Sequence, residues 1–459
     1  MKNLKISVIN HFINKKGYSS VFLAICLVAF SVSLVTAIWV CRSIVVRSEC
    51  ESYGRVWARA VLSEYDVHLM EDYGIMAYFG GESDVKKKID SYMNYSLKGK
   101  MTARLGGSQS ELAGYELGNP ENFREAIIKN LPYEAAEMTA QLASGRDIRS
   151  DASEDDADEE NDGNKKDRII GNRVVLDTLP SRGRESYYGE EDIKRMSDRI
   201  RNLGCADAVR SVITESGAEF VFIEQYFSNH VTKAKGKAGY LENEWEYIIC
   251  GHPSDKRNFI ECRINLIVLR EGLNLISLLL DKEKVELIQT VAEVSNLAAP
   301  VMLILLPVAW AGLETAFDMR DLYKGKRVPV VKTDKQWKTD LGAVLKSDKF
   351  KKEAGSKMSK EEKEAVEENS EEMQEAAGGS HPAADINIPF KDGLNYDEYL
   401  LYFMVMMSEN ERTLRMMDLV QINMKSRYYK DFNMMEYYTG VRYVMEVNGR
   451  DYAFEDAYN

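Results

Sequence analysis

The chain has 459 residues, with 60 basic and 73 acidic side chains and a formal net charge of −13. Its hydrophobic share of 45% can fill a packed core, which excludes a wholly disordered chain, and its acidic balance argues against nucleic acid as a partner. Its six cysteines are too few for a disulfide framework and lack the Cys-x-x-Cys or Cys/His spacing of zinc sites.

The N-terminal region predicts a membrane anchor. Residues 1–20 form a basic segment, and Val21–Val40 has no charged side chain. A helix of this length spans about 30 Å, the thickness of the hydrocarbon core of a bilayer. A cleaved signal peptide is the alternative, although its apolar region is usually shorter. We expect a single-pass anchor at 21–40 in a cell membrane, with the N-terminus cytoplasmic and most of the chain extracellular.

After the anchor, the apolar spacing predicts an extended helix over 41–80, which Gly80 and Gly81 would end. Within it, Glu64, His68, Glu71 and Asp72 have the i, i+3 and i+4 spacing of residues on one helix face. Such a group could bind a metal ion. Surface ion pairing is the simpler interpretation, and we expect no metal or cofactor site.

A helical region is predicted for 81–145 and an acidic loop for 146–170. Within the loop, Asp151–Asp162 contains eight acidic residues and no basic one. Asp158, Glu160, Asp162 and Gly163 occupy four positions of an EF-hand loop, but Ile169 stands where the bidentate glutamate is needed. A solvated loop is therefore favoured over a calcium site.

An α+β head is predicted for 171–334. Trp245–Ile249 is a short aromatic and β-branched run before Gly251 and Pro253, which is typical of a strand followed by a turn. Cys250 and Cys262 flank this turn, and two free thiols are favoured over a disulfide.

The apolar segment 297–313 within the head leaves two alternatives open. It is long enough to cross a membrane, and basic residues follow it. Pro300 and Pro307 count against a crossing, because each removes a backbone hydrogen bond donor. A helix in the core of the head is favoured over a second membrane helix.

The last third of the chain predicts a charged linker at 335–393, then C-terminal helices and a hairpin at 394–459. The linker is rich in Lys and Glu, with a partner-binding helix as the alternative. The Asn448-Gly449 pair favours a hairpin turn. Methionines are frequent from Met404 to Met445, and core packing is favoured over a copper site.

Catalytic motifs are absent from the sequence. There is no nucleophile elbow, phosphate-binding glycine loop or His-Glu-x-x-His pattern. We expect no catalytic residues and a protein that is not an enzyme, with a mostly helical α+β fold in which short antiparallel strands follow the long N-terminal helix.

Several ordered segments carry a family resemblance. Gly17–Leu23 leads into the anchor, and Ala58–Asp66 follows it. The others are spread over most of the chain: Glu71–Ala77, Asp177–Ser181, Tyr226–Asn229, Glu244–Gly251, Arg270–Asn274, Asp318–Gly325 and Arg415–Asn423. In this order they resemble membrane-anchored proteins that accompany tight-adherence (Tad, or Flp-type) pilus genes in Gram-positive bacteria. True pilins have a glutamate at the position of Phe22, so the chain departs from the pattern for prepilin processing and for polymerisation through the N-terminal helix.

The resemblance implies a pseudopilin-like or accessory protein of a Tad-type pilus or secretion assembly. Its partners would be the lipid bilayer and pilus or secretion membrane proteins, and a homo-oligomer is compatible with this role. Two alternatives stay open at this point. One is a membrane-tethered binding or sensory protein unrelated to pili, and the other is a surface hydrolase with unrecognised acidic catalysts.

Overall fold

The computed structural model describes residues 2–98, 104–130, 167–172, 178–182, 217–377 and 393–458. It is a mostly helical α+β protein with short antiparallel strands and a long apolar helix at the N-terminus, as expected. The chain forms two compact units. Unit 1 consists of residues 1–66, 76–117 and 435–459, and unit 2 consists of residues 67–75 and 118–434.

Unit 1 begins with helix α1 (Lys2–Leu62). Its side chains from Val21 to Val40 are all exposed, whereas Val46, Cys50 and Trp57 further along are buried. The predicted helix over 41–80 is not continuous: α1 ends at Leu62, and a second short helix spans Val67–Tyr73. Between the two helices the Asp66 amide donates a hydrogen bond to the Ala77 carbonyl at 3.0 Å.

Two antiparallel sheets complete unit 1. Strands β1 (Tyr78–Phe79) and β3 (Tyr437–Tyr438) form a two-stranded sheet. The larger sheet has the order β2 (Leu105–Glu111), β4 (Gly440–Val447), β5 (Arg450–Ala457). The hairpin between β4 and β5 turns at Asn448 and Gly449, both with positive φ, which confirms the predicted hairpin. Strand β2 lies within the region predicted to be helical.

The larger sheet packs against α1 and against α3 (Glu82–Leu97). The helix and the sheet approach closely at Gly54, where an added Cβ would lie 2.2 Å from the Phe454 ring. The Tyr443 hydroxyl donates a hydrogen bond to the Gly54 carbonyl at 2.6 Å. A glycine inside a helix costs about 1 kcal/mol relative to alanine, and here this close contact explains its presence.

Unit 2 is helical in its described part. Its helices are α2 (Val67–Tyr73), α4 (Pro120–Asn130), α5 (Gly217–Tyr226), α6 (Glu244–Cys250), α7 (Asp255–Leu280), α8 (Lys282–Val294), α9 (Ala299–Tyr323), α10 (Leu341–Lys346), α11 (Asp348–Lys357), α12 (Lys360–Glu368), α13 (Ser370–Ala377), α14 (Tyr396–Met406) and α15 (Glu409–Arg427).

Helix α6 corrects the predicted strand at Trp245–Ile249. The Glu244 and Trp245 amides at its first turn donate to the Ser228 carbonyl at 2.9 and 3.1 Å. The helix ends at Gly251, which is left-handed with φ 69°. Trp245 and Ile248 are buried. Their hydrophobicity suits a buried helix as well as a strand, so the short apolar run did not distinguish the two.

Helix α9 contains most of the apolar segment 297–313 and packs one face into the core of unit 2. It lies antiparallel to α7, because Thr315 contacts Asn274 while Tyr323 lies beside Phe259. Met302, Leu306 and Trp310 are buried in the core of unit 2. Its length and composition would also permit a membrane span, but Glu314 and Asp318, which follow the apolar run on the same helix, are buried within the unit.

The predicted charged linker is wrong for residues 341–377, which form α10 to α13. A few apolar side chains at helical spacing, among them Phe350, Met358 and Met373, are buried against α8 and α9. Their charged neighbours stay on the outer face, and this is why composition alone suggested a tether. The calcium pattern at Asp158, Glu160, Asp162 and Gly163, and residues 378–392 of the linker, lie outside the described residues.

Candidate functional site

The metal-ligand pattern of the sequence is not assembled. Glu64 follows the end of α1 and pairs with Lys88 at 2.6 Å, while the other three residues belong to unit 2. There Asp72 is paired with Lys237 and Arg427, both at 2.8 Å, and the His68 ring stacks on Tyr428. Among the described residues, no group of three His, Cys, Asp or Glu side chains could hold a metal ion.

Core packing is confirmed for six of the nine methionines in this stretch: Met404, Met416, Met417, Met424, Met434 and Met445 are buried. It is wrong for Met406 and Met435, which are 41% and 50% exposed, and Met407 is half-buried.

A buried ionic network joins α7 and α9. Arg270 Nη2 lies 2.8 Å from Asp318 Oδ2, and Lys332 Nζ lies 2.5 Å from Asp318 Oδ1 and also contacts Glu314. Neutral groups also donate hydrogen bonds to these carboxylates. Asn274 Nδ2, for example, donates to Asp318 Oδ2 at 2.8 Å. The four charged side chains are at most 4% exposed.

Two positive and two negative charges balance in this network. An uncompensated buried charge is costly, so this pairing holds α9 against α7. It also holds α9 against the segment that follows it, which contains Lys332. The role of the network is structural, because its charges are already paired with one another.

A second buried cluster is different, because two of its polar atoms lack partners. Glu246 on α6 is fully buried, and its Oε1 accepts hydrogen bonds from the Tyr396 hydroxyl at 2.8 Å and the His230 amide at 3.1 Å. Its Oε2 and the nearby Tyr323 hydroxyl are buried without a hydrogen-bond partner in the described part of the chain. Burial raises the pKa of Glu246 to about 7.

Aromatic rings enclose the cluster. The His230 ring stacks on Phe259 with centroids 4.0 Å apart, and Tyr323 lies beside both His230 and Tyr396. This apolar wall explains the raised pKa, because a carboxylate loses its hydration there.

Two thiols lie at the edge of the Glu246 cluster. Cys250 ends α6 and is half-buried, whereas Cys262 on α7 is fully buried, and both are free, as the sequence favoured. The neighbouring Cys250 thiol, burial and the charge of Glu246 raise the pKa of Cys262.

The cluster combines two free cysteines with a carboxyl whose pKa burial raises to about 7. Sequence reasoning considered the cysteines and missed Glu246. The i, i+4 spacing of Glu246 and Cys250 is its only local signal, and it becomes informative only once the segment is known to be helical.

The fold and these clusters define a mostly helical α+β protein with a long apolar N-terminal helix. Residues 163–449, more than half of the chain, match a protein family described as a family of unknown function, DUF5702, and the chain belongs to that family. No curated protein and no solved structure matches the chain.

Proposed function

We propose that the protein is a non-enzymatic, membrane-anchored, extracytoplasmic component or accessory factor of a Tad-type pilus or secretion assembly. The observation that carries this proposal is the structure of α1. One uninterrupted helix exposes an apolar half and packs its other half against a sheet. The exposed half needs an apolar environment, which a bilayer or neighbouring membrane helices provide.

Continuity of the helix supports a mechanical role. No proline interrupts α1, and the contacts of Gly54 with Phe454 and Tyr443 fix the sheet of unit 1 directly to the helix. A flexible tether would leave a head free to rotate. Here the orientation of the sheet follows that of the apolar half, as suits a subunit that must present a defined surface to its neighbours.

Unit 2 offers apolar surface for such neighbours. Helix α7 exposes Ile264, Val268 and Leu280, and the adjacent α9 exposes Ile304, of which 70% is accessible. Exposed apolar side chains concentrated on two packed helices are typical of surfaces that bind another protein or a membrane. This surface supports an assembly component over an isolated tethered enzyme.

The test is complementation of a deletion strain, with pili visualised on the cell surface. We expect the deletion to abolish pili and the wild-type gene to restore them. Val28→Arg should fail to restore them, because arginine at the centre of a membrane helix costs about 2.5–3.5 kcal/mol. Val56→Arg is the matched control, since Val28 and Val56 lie on the same helix with 60% and 58% exposure.

Membrane retention is measured for both variants by alkaline extraction. Reporters fused after residues 120, 290, 335 and 459 test the orientation, and we expect all four to be extracytoplasmic. Normal pili in the deletion strain would refute the assembly role. Equal extraction of the two arginine variants would refute the anchor.

A further inference from the structure

We propose that the junction between the apolar half of α1 and the β4–β5 hairpin binds the phosphate of an anionic phospholipid, with Arg42 and Arg450 as its ligands. The observation that carries this is an exposed corner, formed by Arg42, Ser43 and Arg450, directly beyond the apolar run Val21–Val40. The inference rests on the proposed membrane anchor and is independent of any role in pilus assembly.

Strand β5 runs alongside α1 in the same direction. Three contacts at increasing positions in both segments show this: Arg450 Nη1 lies 3.5 Å from Ser43 Oγ, Phe454 packs on Gly54, and the Tyr458 hydroxyl donates to the Leu62 carbonyl at 2.6 Å. The start of β5 is therefore at the end of unit 1 that adjoins the apolar run. The hairpin turn at Asn448 and Gly449 lies at the same end.

This end of unit 1 lies at the depth of the lipid headgroups. A bilayer has about 5–7 Å of headgroup region on each side of its hydrocarbon core. Ser43 follows Val40 by a rise of about 4.5 Å along the helix. Val46, less than one turn further on, is already buried in the core of unit 1. The folded sheet therefore begins at the membrane surface itself.

Arg42 continues the row of α1 residues that faces the sheet. Val46, Cys50 and Gly54 follow it at intervals of four residues; the first two are buried, and Gly54 makes the close contact with the sheet. Residues four apart lie on the same face of a helix, so Arg42 is on the sheet side, one turn before the buried part of the row. Arg42 and Arg450 are both exposed, and they flank the corner from the helix and from the hairpin.

Two further arginines add positive charge at this end of unit 1. Arg47 is one turn beyond Ser43 on α1, and its side chain is 70% exposed. Arg104 precedes β2 and is held beside the hairpin turn, because its amide donates a hydrogen bond to Asn448 Oδ1 at 2.8 Å. The helix, the hairpin and strand β2 thus each bring arginine to the membrane-proximal end.

The acidic residues of this end are placed away from the corner or are paired: Glu49, Glu51, Glu446 and Asp451. Glu51 pairs with Arg47 at 2.7 Å, and Glu49 is half-buried two turns further along α1 than Arg42. Glu446 and Asp451 are partners in the β4–β5 register and alternate with core residues, so they lie on the face of the sheet opposite α1. Positive charge therefore prevails at the corner.

The chemistry of the corner suits a lipid phosphate. A guanidinium donates paired hydrogen bonds to phosphate oxygens and keeps its charge at every physiological pH. The chain as a whole carries −13, and the positive-inside bias predicts few basic residues on this side of the anchor, so an excess of arginine here is unusual. Val40 and Ile44, which are 46% and 61% exposed, offer contact to acyl chains beside the arginines. These chains favour a lipid over a soluble phosphate.

The experiment measures quenching of Trp39 fluorescence by brominated lipids. Trp39 is 62% exposed and lies just before Arg42, whereas the other tryptophans lie beyond residue 56. The full-length protein is reconstituted into vesicles in which either phosphatidylglycerol or phosphatidylcholine has brominated acyl chains, and the two quenching curves give the relative affinity of the lipids near Trp39. We expect phosphatidylglycerol to bind about 5- to 25-fold more tightly, because one arginine near an anionic surface corresponds to about fivefold in affinity.

A matched pair of double variants tests the site. Arg42→Gln/Arg450→Gln should bring the affinity ratio close to one. Arg59→Gln/Arg442→Gln removes the same charge from exposed arginines elsewhere on α1 and β4, and should keep the ratio of the wild type. Inorganic phosphate, compared with chloride at equal ionic strength, should leave the ratio unchanged, because a soluble anion has no acyl chains to hold it at this depth.

Equal affinities of the two lipids in the wild type would overturn the site while the anchor stands. The same holds if both double variants lose the preference equally, or if phosphate abolishes it and chloride does not, which would assign the arginines to a soluble anion. Trp39 unquenched by either lipid would overturn the anchor as well. If Arg42→Gln/Arg450→Gln does not fold, the wild-type ratio and the single variant Arg42→Gln decide. None of these results bears on whether the deletion strain forms pili.

Discussion

Removing the charge of Lys332 should destabilise unit 2 strongly. Lys332 is 4% exposed, and its Nζ contacts both Glu314 and Asp318. In Lys332→Met the two buried carboxylates keep only Arg270 as a cationic partner, so one negative charge is uncompensated. Breaking a buried ion pair in this way costs about 3–5 kcal/mol. At about 2 °C per kcal/mol for a unit of this size, the thermal midpoint should fall by about 6–10 °C.

The assay is thermal unfolding of the full-length protein in detergent, followed by tryptophan fluorescence because Trp310 and Trp337 lie in this unit. Lys338→Met is the matched control. Lys338 pairs with Asp321, but its side chain is 36% exposed, so we expect a loss of about 1 kcal/mol or less. The double variant Lys332→Met/Glu314→Gln restores the charge balance and should recover part of the loss. Equal effects of the two single methionine variants would refute the reasoning.

Three further predictions concern other parts of the chain. Gly54→Ala should lower the thermal midpoint of unit 1 despite the better helix propensity of alanine, because its Cβ would overlap the Phe454 ring; an unchanged or higher midpoint would contradict this packing. Glu246 has a pKa of about 7, above its ordinary 4.5, so its contribution of about 3 kcal/mol is complete below pH about 4.5 and is lost as the pH rises towards 7. Glu246→Gln should therefore lose less stability than the wild type between pH 5 and pH 8 in denaturant titrations, and parallel curves would contradict this. Phe350→Ala should cost about 3–5 kcal/mol because Phe350 is buried, whereas the neighbouring Lys351→Ala should be neutral; equal midpoints would mean that this segment does not pack.

The sequence predicted correctly those secondary-structure elements that are determined by a pattern within a few neighbouring residues. The Asn448-Gly449 turn, the exposed apolar half of α1 and the two C-terminal helices all have such signals. The predictions failed where tertiary packing decides. Trp245–Ile249 is helical because its apolar side chains are buried on several sides, and the Lys/Glu-rich segment is packed because a few residues such as Phe350 find a core.

The candidate site could not be predicted from the sequence for the same reason, because tertiary packing assembles it. The turn between Cys250 and Cys262 was visible in the sequence, but Tyr396 and Tyr323 approach Glu246 from distant parts of the chain. The burial that raises the pKa of Glu246 is a property of this assembled cluster. No spacing along the chain indicates that a carboxyl is enclosed by aromatic rings from three helices.

The discontinuity of unit 1 has a consequence for how the chain is made. Its central strand β4 and its edge strand β5 are synthesised after most of unit 2, whereas α1, α3 and β2 are synthesised before it. Until residues 440–457 have been synthesised, the apolar faces of these earlier elements lack strands β4 and β5 to cover them. The nascent chain must therefore be shielded until these strands are made, and a product truncated before β4 exposes its uncovered N-terminal half to proteases.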